Sequence, residues 1–281
     1  MRDIHVETIR GTVKNLFLKA NYYIGPDILT SLKNKLEYEE STTGKVILSQ
    51  IIENNIIAAE EQLAICQDTG MAILFVQLGQ EVRIIGGDFY AAIHQGVREA
   101  YSEGYLRKSI VNDPVFDRIN TKDNTPAIIH LEIVSGDKIK IQAMAKGFGS
   151  ENMSALKMLN PSQGEQGVRD FVVSTVRIAG PNPCPPLIIG VGIGGTIEKC
   201  ALIAKKATMR TLSRRNDDIR YEKLEEDILE EINRLGLGPG GLGGKVTALA
   251  VNIEYVPAHI ASLPCVVNIC CHASRHAETE I

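Results

Sequence analysis

Apolar residues recur at helical spacing from Ile4 to Ala20, and a second helical stretch, opened by Pro26, runs to about Tyr38. Gly44 to Gln62 carries a third, with Val46, Ile47, Ile51, Ile52, Ile56 and Ile57 on one stripe expected to face a core. The period breaks at Cys66–Gly70, which reads CQDTG. The run after it, MAILFVQLG, is short, apolar and rich in strand formers, so it predicts a buried strand. Helical spacing returns from Phe89 to Arg107. Ala127 to Lys146 alternates around Ser135, Gly136 and Asp137, which predicts a hairpin of two antiparallel strands. Gln163 to Ala179 is again helical.

The next stretch, PNPCPPLIIGVGIGGT, reads as a proline-stiffened loop, a short buried strand and a glycine turn. A helix from about Ile197 to Thr211 follows, then a strongly charged one from Asp217 to Leu235, expected to be a solvated surface element. Gly236 to Gly244 is expected to be a flexible loop, and Thr247–Tyr255 and Pro264–Cys270 are strand-like. No internal repeat or long linker is visible. The pattern predicts one α+β unit over residues 1–281: a mixed, largely antiparallel sheet covered by helices, with a mostly helical N-terminal segment.

Composition narrows the function classes. With 44% hydrophobic and 23% charged residues, the chain is ordinary for a folded soluble protein. A net charge of -4 argues against a broad nucleic-acid surface. The greasiest stretch, Pro186 to Ile197, is too short to span a membrane and is broken by glycines. The N-terminal MRDIHVETIR is charged and amphipathic, without an apolar signal core. A cytoplasmic protein with neither nucleic-acid nor membrane partner is expected.

Two features could carry chemistry. Gly190, Gly192 and Gly195 satisfy G-x-G-x-x-G between a strand and a helix. A dinucleotide fold would need a second parallel strand ending in an acidic residue about 20 residues on. Here the helix runs instead into TLSRRNDD and another helix. The milder reading is a backbone that something approaches closely, at a helix N-terminus suited to a carboxylate. The six cysteines are the second feature. Cys66 stands at a loop-to-strand boundary beside Gln67 and Asp68; Cys184 lies between Pro183 and Pro185; Cys271 follows a strand and precedes HASRH. Cys200 and Cys265 sit in apolar contexts and read as core, while Cys270 is ambiguous. There is no C-x-x-C, which leaves an electron-transfer ferredoxin or a zinc ribbon poorly supported. Among the histidines, His94 and Arg98 share a helix face, and His259 lies in a loop between two strands.

Taken together and in order, CQDTG, LRKSIV (Leu106 to Val111), AKGFGSENMS (Ala145 to Ser154), PNPCPP with GIGGT, EYVPAHIASLP (Glu254 to Pro264) and CCHASR (Cys270 to Arg275) resemble the class I fumarase and L-tartrate dehydratase family. The resemblance spans essentially the whole chain and is to the α-subunit, or to the N-terminal half of the single-chain enzymes. It implies a [4Fe–4S] cluster on three cysteines: Cys66, Cys184 and Cys271, with Cys270 as the alternative third. It implies a hydro-lyase that interconverts fumarate and L-malate, a tricarboxylic acid cycle reaction, or alternatively dehydrates L(+)-tartrate. Asp68 would be an acid/base and Gln67 a hydrogen-bonding partner of the substrate. Arg107 would grip a carboxylate, the backbone at Gly149 would approach the substrate, and His259 would bind it or relay a proton. The single-chain enzymes continue into a C-terminal domain with further substrate-binding groups. A separate β-subunit is therefore expected to supply it, in a hetero-oligomer such as α2β2. Outside this class, the remaining readings are a non-catalytic thiol or zinc module and a nucleotide-binding enzyme.

Overall fold

The computed structural model describes residues 1–281. Its elements run β1 (Arg2–His5), α1 (Val6–Tyr22), α2 (Pro26–Tyr38), α3 (Thr42–Glu61), β2 (Met71–Gly79), β3 (Val82–Ile85), α4 (Phe89–Glu103), β4 (Ile128–Val134), β5 (Ile139–Lys146), α5 (Phe148–Glu151), β6 (Ala155–Leu159), α6 (Gly164–Ala179), β7 (Leu187–Ile193), α7 (Ile197–Ala207), α8 (Ile219–Asn233), β8 (Ala248–Tyr255), β9 (Leu263–Cys270) and β10 (His276–Glu280). The chain is α+β, as its periodicity predicts, and divides into two compact units. One comprises Met1–Gly25, Asn54–Phe148 and Arg275–Ile281; the other comprises Pro26–Glu53 and Gly149–Ser274. No helix is long and apolar enough to cross a membrane.

In the first unit a four-stranded sheet runs β10-β5-β2-β4. β2 is central, parallel to β4 and antiparallel to β5. Strand alternation turns Ala72, Leu74 and Val76 toward α1 and α4, where Val13, Phe17, Ile93 and Val97 complete a core. Phe75 points to the opposite face and stacks on His130, ring centroids 5.0 Å apart. The hairpin expected over Ala127–Lys146 does not form. β4 and β5 are not partners, because β2 lies between them. The segment around Ser135–Asp137 instead wraps the end of β2, accepting hydrogen bonds from Gln80 N at Val134 O (2.8 Å) and from Glu81 N at Gly136 O (3.0 Å).

The second unit has a sheet of order β6-β9-β7-β8, with β7 central, parallel to β8 and antiparallel to β9. Its topology repeats that of the first: a central strand, a helical crossover to a parallel neighbour, then a return to an antiparallel neighbour on the other side. This repeat is invisible in the residues, because it is one of connection and not of sequence. α6 and α8 cover one face through Val168, Val172, Val176, Leu224, Ile228 and Ile232. The charged helix is thus not merely a solvated element. Its apolar stripe is core, and it also carries buried Glu225, which pairs with Arg210 at 2.5 Å. In α3 the buried stripe is Leu48, Ile51, Ile52, Asn55 and Ala58, the true 3.6-residue row; Val46, Ile56 and Ile57 lie off it and are exposed.

α7 covers the other face of β7, and here the glycine pattern acquires its reason. A Cβ on Gly190 would stand 2.1 Å from the Ala204 carbonyl oxygen, and one on Gly192 would stand 2.2 Å from that of Cys200. These glycines admit a helix backbone against a strand, not a phosphate. Gly192→Ala is expected to destabilise the chain by about 3 kcal/mol, the upper range for overpacking. Urea unfolding measures this, and an unchanged midpoint would contradict the packing described.

Candidate active site

The first unit holds Cys66, Gln67, Asp68 and Arg107. CQDTG is the segment entering central strand β2, and its backbone is tied down from several directions. Tyr101 Oη reaches the carbonyls of Thr69 (2.7 Å) and Gly70 (3.1 Å), and Asn124 Nδ2 also donates to Gly70 O (3.2 Å). Thr69 Oγ1 donates to the Arg107 carbonyl at 2.9 Å, which brings the Arg107 segment alongside. Gly70 has φ +76°, and a Cβ there would lie 2.7 Å from the Lys146 carbonyl carbon, so the loop sits directly on the end of β5. Burial raises the Tyr101 hydroxyl pKa above its ordinary value, and the hydroxyl stays a donor.

Asp68 is half-buried, and both of its carboxylate oxygens are held. Oδ1 accepts from Gly70 N at 3.0 Å and Oδ2 from Phe148 N at 2.8 Å. The side chain therefore has one orientation while keeping lone pairs for a further partner. Cys66 is half-buried, with its Sγ 3.5 Å from Gln67 Oε1, and Gln67 and Arg107 are exposed.

The second unit holds Cys184, Cys271, Gly149 and His259. Cys184 enters central strand β7, the position Cys66 holds relative to β2. It is exposed, between buried Pro183 and Pro185, with φ +55°. The His272 N–H donates to the Cys184 carbonyl at 3.4 Å, which places the Cys271 turn beside the Cys184 loop. Gly149 is a neighbour too, since a Cβ on it would stand 3.7 Å from Asn182 O. The glycine-rich segment expected to be a flexible loop buttresses this region. Gly240 N donates to Pro185 O at 2.8 Å, and a Cβ on Gly241 would strike Pro181 at 2.2 Å. Buried Glu39 anchors that segment by accepting from Lys245 N and Val246 N, each 2.9 Å from Oε2. Burial works to raise the Glu39 pKa, but these bonds and those from Ser41 and Glu40 outweigh it and hold the carboxyl below its ordinary range.

His259 is placed differently. Cys184 and Cys271 lie where β7 begins and β9 ends, since Ile188 pairs with Cys270. His259 lies in the exposed loop at the other end, where Ile193 pairs with both Tyr255 and Cys265. The six strand residues between the two ends amount to about 20 Å. Within this unit His259 is not brought to the cysteines.

Accessibility sorts the six thiols cleanly. Cys66 and Cys271 are half-buried and Cys184 is exposed, whereas Cys200, Cys265 and Cys270 are buried. Burial pushes the Cys200 thiol up to about 11 and that of Cys265 up to about 12, so neither is inclined to become the thiolate that iron requires. Cys270 is 4% exposed, and the choice left open between it and Cys271 favours Cys271. No group of three His, Cys, Asp or Glu side chains is gathered to hold a single metal ion. A cubane cluster makes a different demand, because it spreads its thiolates over separate irons. The accessible set, three soft sulfur donors in loops, fits that demand. Reading by residue type alone missed Arg275 and Tyr101, whose buried donors hold CQDTG.

A family model described as fumarate hydratase (Fumerase) matches residues 10–280. The chain belongs to this family of hydro-lyases. Among individual relatives, a protein of Methanocaldococcus jannaschii provisionally named L(+)-tartrate dehydratase subunit alpha is 41% identical over 278 residues, 96% of each chain. L(+)-tartrate dehydratase alpha subunits of Escherichia coli are 31% identical over 280 residues (98% of this chain, 91% of theirs) and 32% identical over 274 residues (96% and 89%).

Proposed function

We propose that the chain is the cluster-carrying α-subunit of a cytoplasmic iron–sulfur hydro-lyase acting on a C4 2-hydroxy dicarboxylate, with fumarate and L-malate as the reactants. The observation that carries the reading is a coincidence of independent selections. The three cysteines of the family-like motifs are also the three that the fold leaves accessible. Cys66, Cys184 and Cys271 would hold a [4Fe–4S] cluster. When bound by three thiolates, such a cluster supplies an iron free to act as a Lewis acid toward the substrate hydroxyl and an adjacent carboxylate oxygen.

This chain's own residues do the rest. Elimination requires removal of a weakly acidic C–H beside a carboxylate. Asp68, fixed by Gly70 N and Phe148 N, takes that proton. Arg107, exposed beside the same loop, offers a carboxylate two parallel N–H bonds. Gln67 hydrogen-bonds the substrate, and the absence of a side chain at Gly149 lets the backbone approach it. His259, far from the cysteines of its own unit, acts in the site of a second copy, the arrangement an α2β2 assembly allows.

The relatives' names favour a second reading of the substrate, L(+)-tartrate, and their designation as alpha subunits supports a separate β-subunit as partner under either reading. One experiment addresses both points. The chain is co-expressed with its partner subunit, purified anaerobically, sized, and assayed on L-malate and L(+)-tartrate side by side. An α2β2 complex with at least tenfold higher kcat/KM on malate is expected. A reversed preference would replace the substrate assignment, full turnover by the isolated chain would sink the partner, and an active αβ dimer would remove the role given to His259.

A further inference from the structure

A guanidinium as buried as that of Arg275, 2% exposed, is costly unless its N–H groups are used. Nε has no partner here, but Nη1 has a specific use. Arg275 Nη1 donates to the backbone carbonyl of Asp68, and the Arg275 carbonyl accepts from Ala145 N at 2.9 Å. The guanidinium also lines the same spot as the Asp68 carboxylate. A Cβ on Gly147 would stand 3.1 Å from Arg275 Nη2 and 3.2 Å from Asp68 Oδ2. With Tyr101 and Asn124, Arg275 completes a set in which the carbonyls of Asp68, Thr69 and Gly70 each accept from a buried side chain of another segment. The backbone that carries Asp68 is thus held by side chains on the segment from Asp68 to Gly70.

The geometry points to Arg275 as the positioning residue that holds Asp68 for proton transfer. It touches no substrate and acts through the Asp68 backbone, so it rests on the assignment of Asp68 as the acid/base. Displacing a catalytic group by an ångström can cost about a hundredfold in rate, which leaves ample range for a measurable effect.

Two readouts test it. In the cluster-free chain, Arg275→Lys is expected to speed hydrogen exchange at the Gly70 and Phe148 amides about tenfold while β7 amides are unchanged. In the holo complex with its partner subunit, the same variant is expected to lower kcat about tenfold with KM moving less than about threefold. That loss should vanish in an Asp68→Asn background. Tyr101→Phe, which deletes one hydroxyl, is the second probe if the lysine variant does not fold, and should shift both readouts the same way. Unchanged exchange at Gly70 and Phe148, a chain-wide rise in exchange, or a kcat loss that persists without Asp68 would each overturn the positioning role. Wild-type turnover by Asp68→Asn alone would instead sink the acid/base assignment beneath it.

Discussion

Replacing Asp68 by Asn is expected to lower kcat by a factor of about 10² to 10⁴, the usual contribution of a positioned acid or base, with little change in KM. The substitution keeps the size of the side chain but removes its basicity. It also turns one of the two oxygens held by Gly70 N and Phe148 N into an N–H donor. Two donors then face each other, so a stability loss of about 1–3 kcal/mol is expected alongside the kinetic one. The two effects separate by measuring turnover at a temperature where the variant is fully folded. Steady-state kinetics giving a kcat within about threefold of wild type would remove Asp68 from the chemistry.

The second large effect concerns the thiols. Alanine at Cys66, Cys184 or Cys271 is expected to abolish turnover, since each would take away one of only three protein ligands to the cluster. Alanine at Cys200, Cys265 or Cys270 is expected to leave kcat unchanged and to cost stability of about 1–3 kcal/mol, through lost packing. At Cys200 a hydrogen bond from Sγ to Gly192 O, 3.1 Å long, is lost as well. Assay and thermal unfolding of all six variants should therefore give two opposite patterns, one per set. Activity loss at a buried cysteine with stability intact would break the division.

The helices and long strands could be read from the residues because each carries its own period: α2 and β2 fall where the pattern places them. Pairing could not. Alternation in Ala127–Lys146 says which side chains share a face but not which strand lies alongside, and β2, some fifty residues earlier, takes the place of the expected hairpin partner. The edge strands β6 (ALKML) and β10 (HAETE) are short and partly polar, and exist because β9 and β5 pair with them. Gly190 and Gly192 announce a close backbone approach, but the pattern does not say what approaches; the answer is α7.

At the site, which cysteines lie in loops and which in the core was readable from immediate neighbours for all but Cys270, because prolines and polar residues mark loops. Arg275 was not. It stands inside the CHASR string, yet its burial and its bond depend on Asp68, which lies 207 positions away. His259 was readable as a loop residue, but its distance from Cys184 and Cys271 follows only from strand direction.

The central claim is that Cys66, Cys184 and Cys271 together hold a hydro-lyase cluster. Its most direct test is anaerobic reconstitution of the full chain with iron and sulfide, followed by iron and sulfide counting and reduced-state EPR. The wild-type chain is expected to take up a [4Fe–4S] complement that is lost on substitution of any one of the three. Cluster content unchanged by all three substitutions would contradict the assignment.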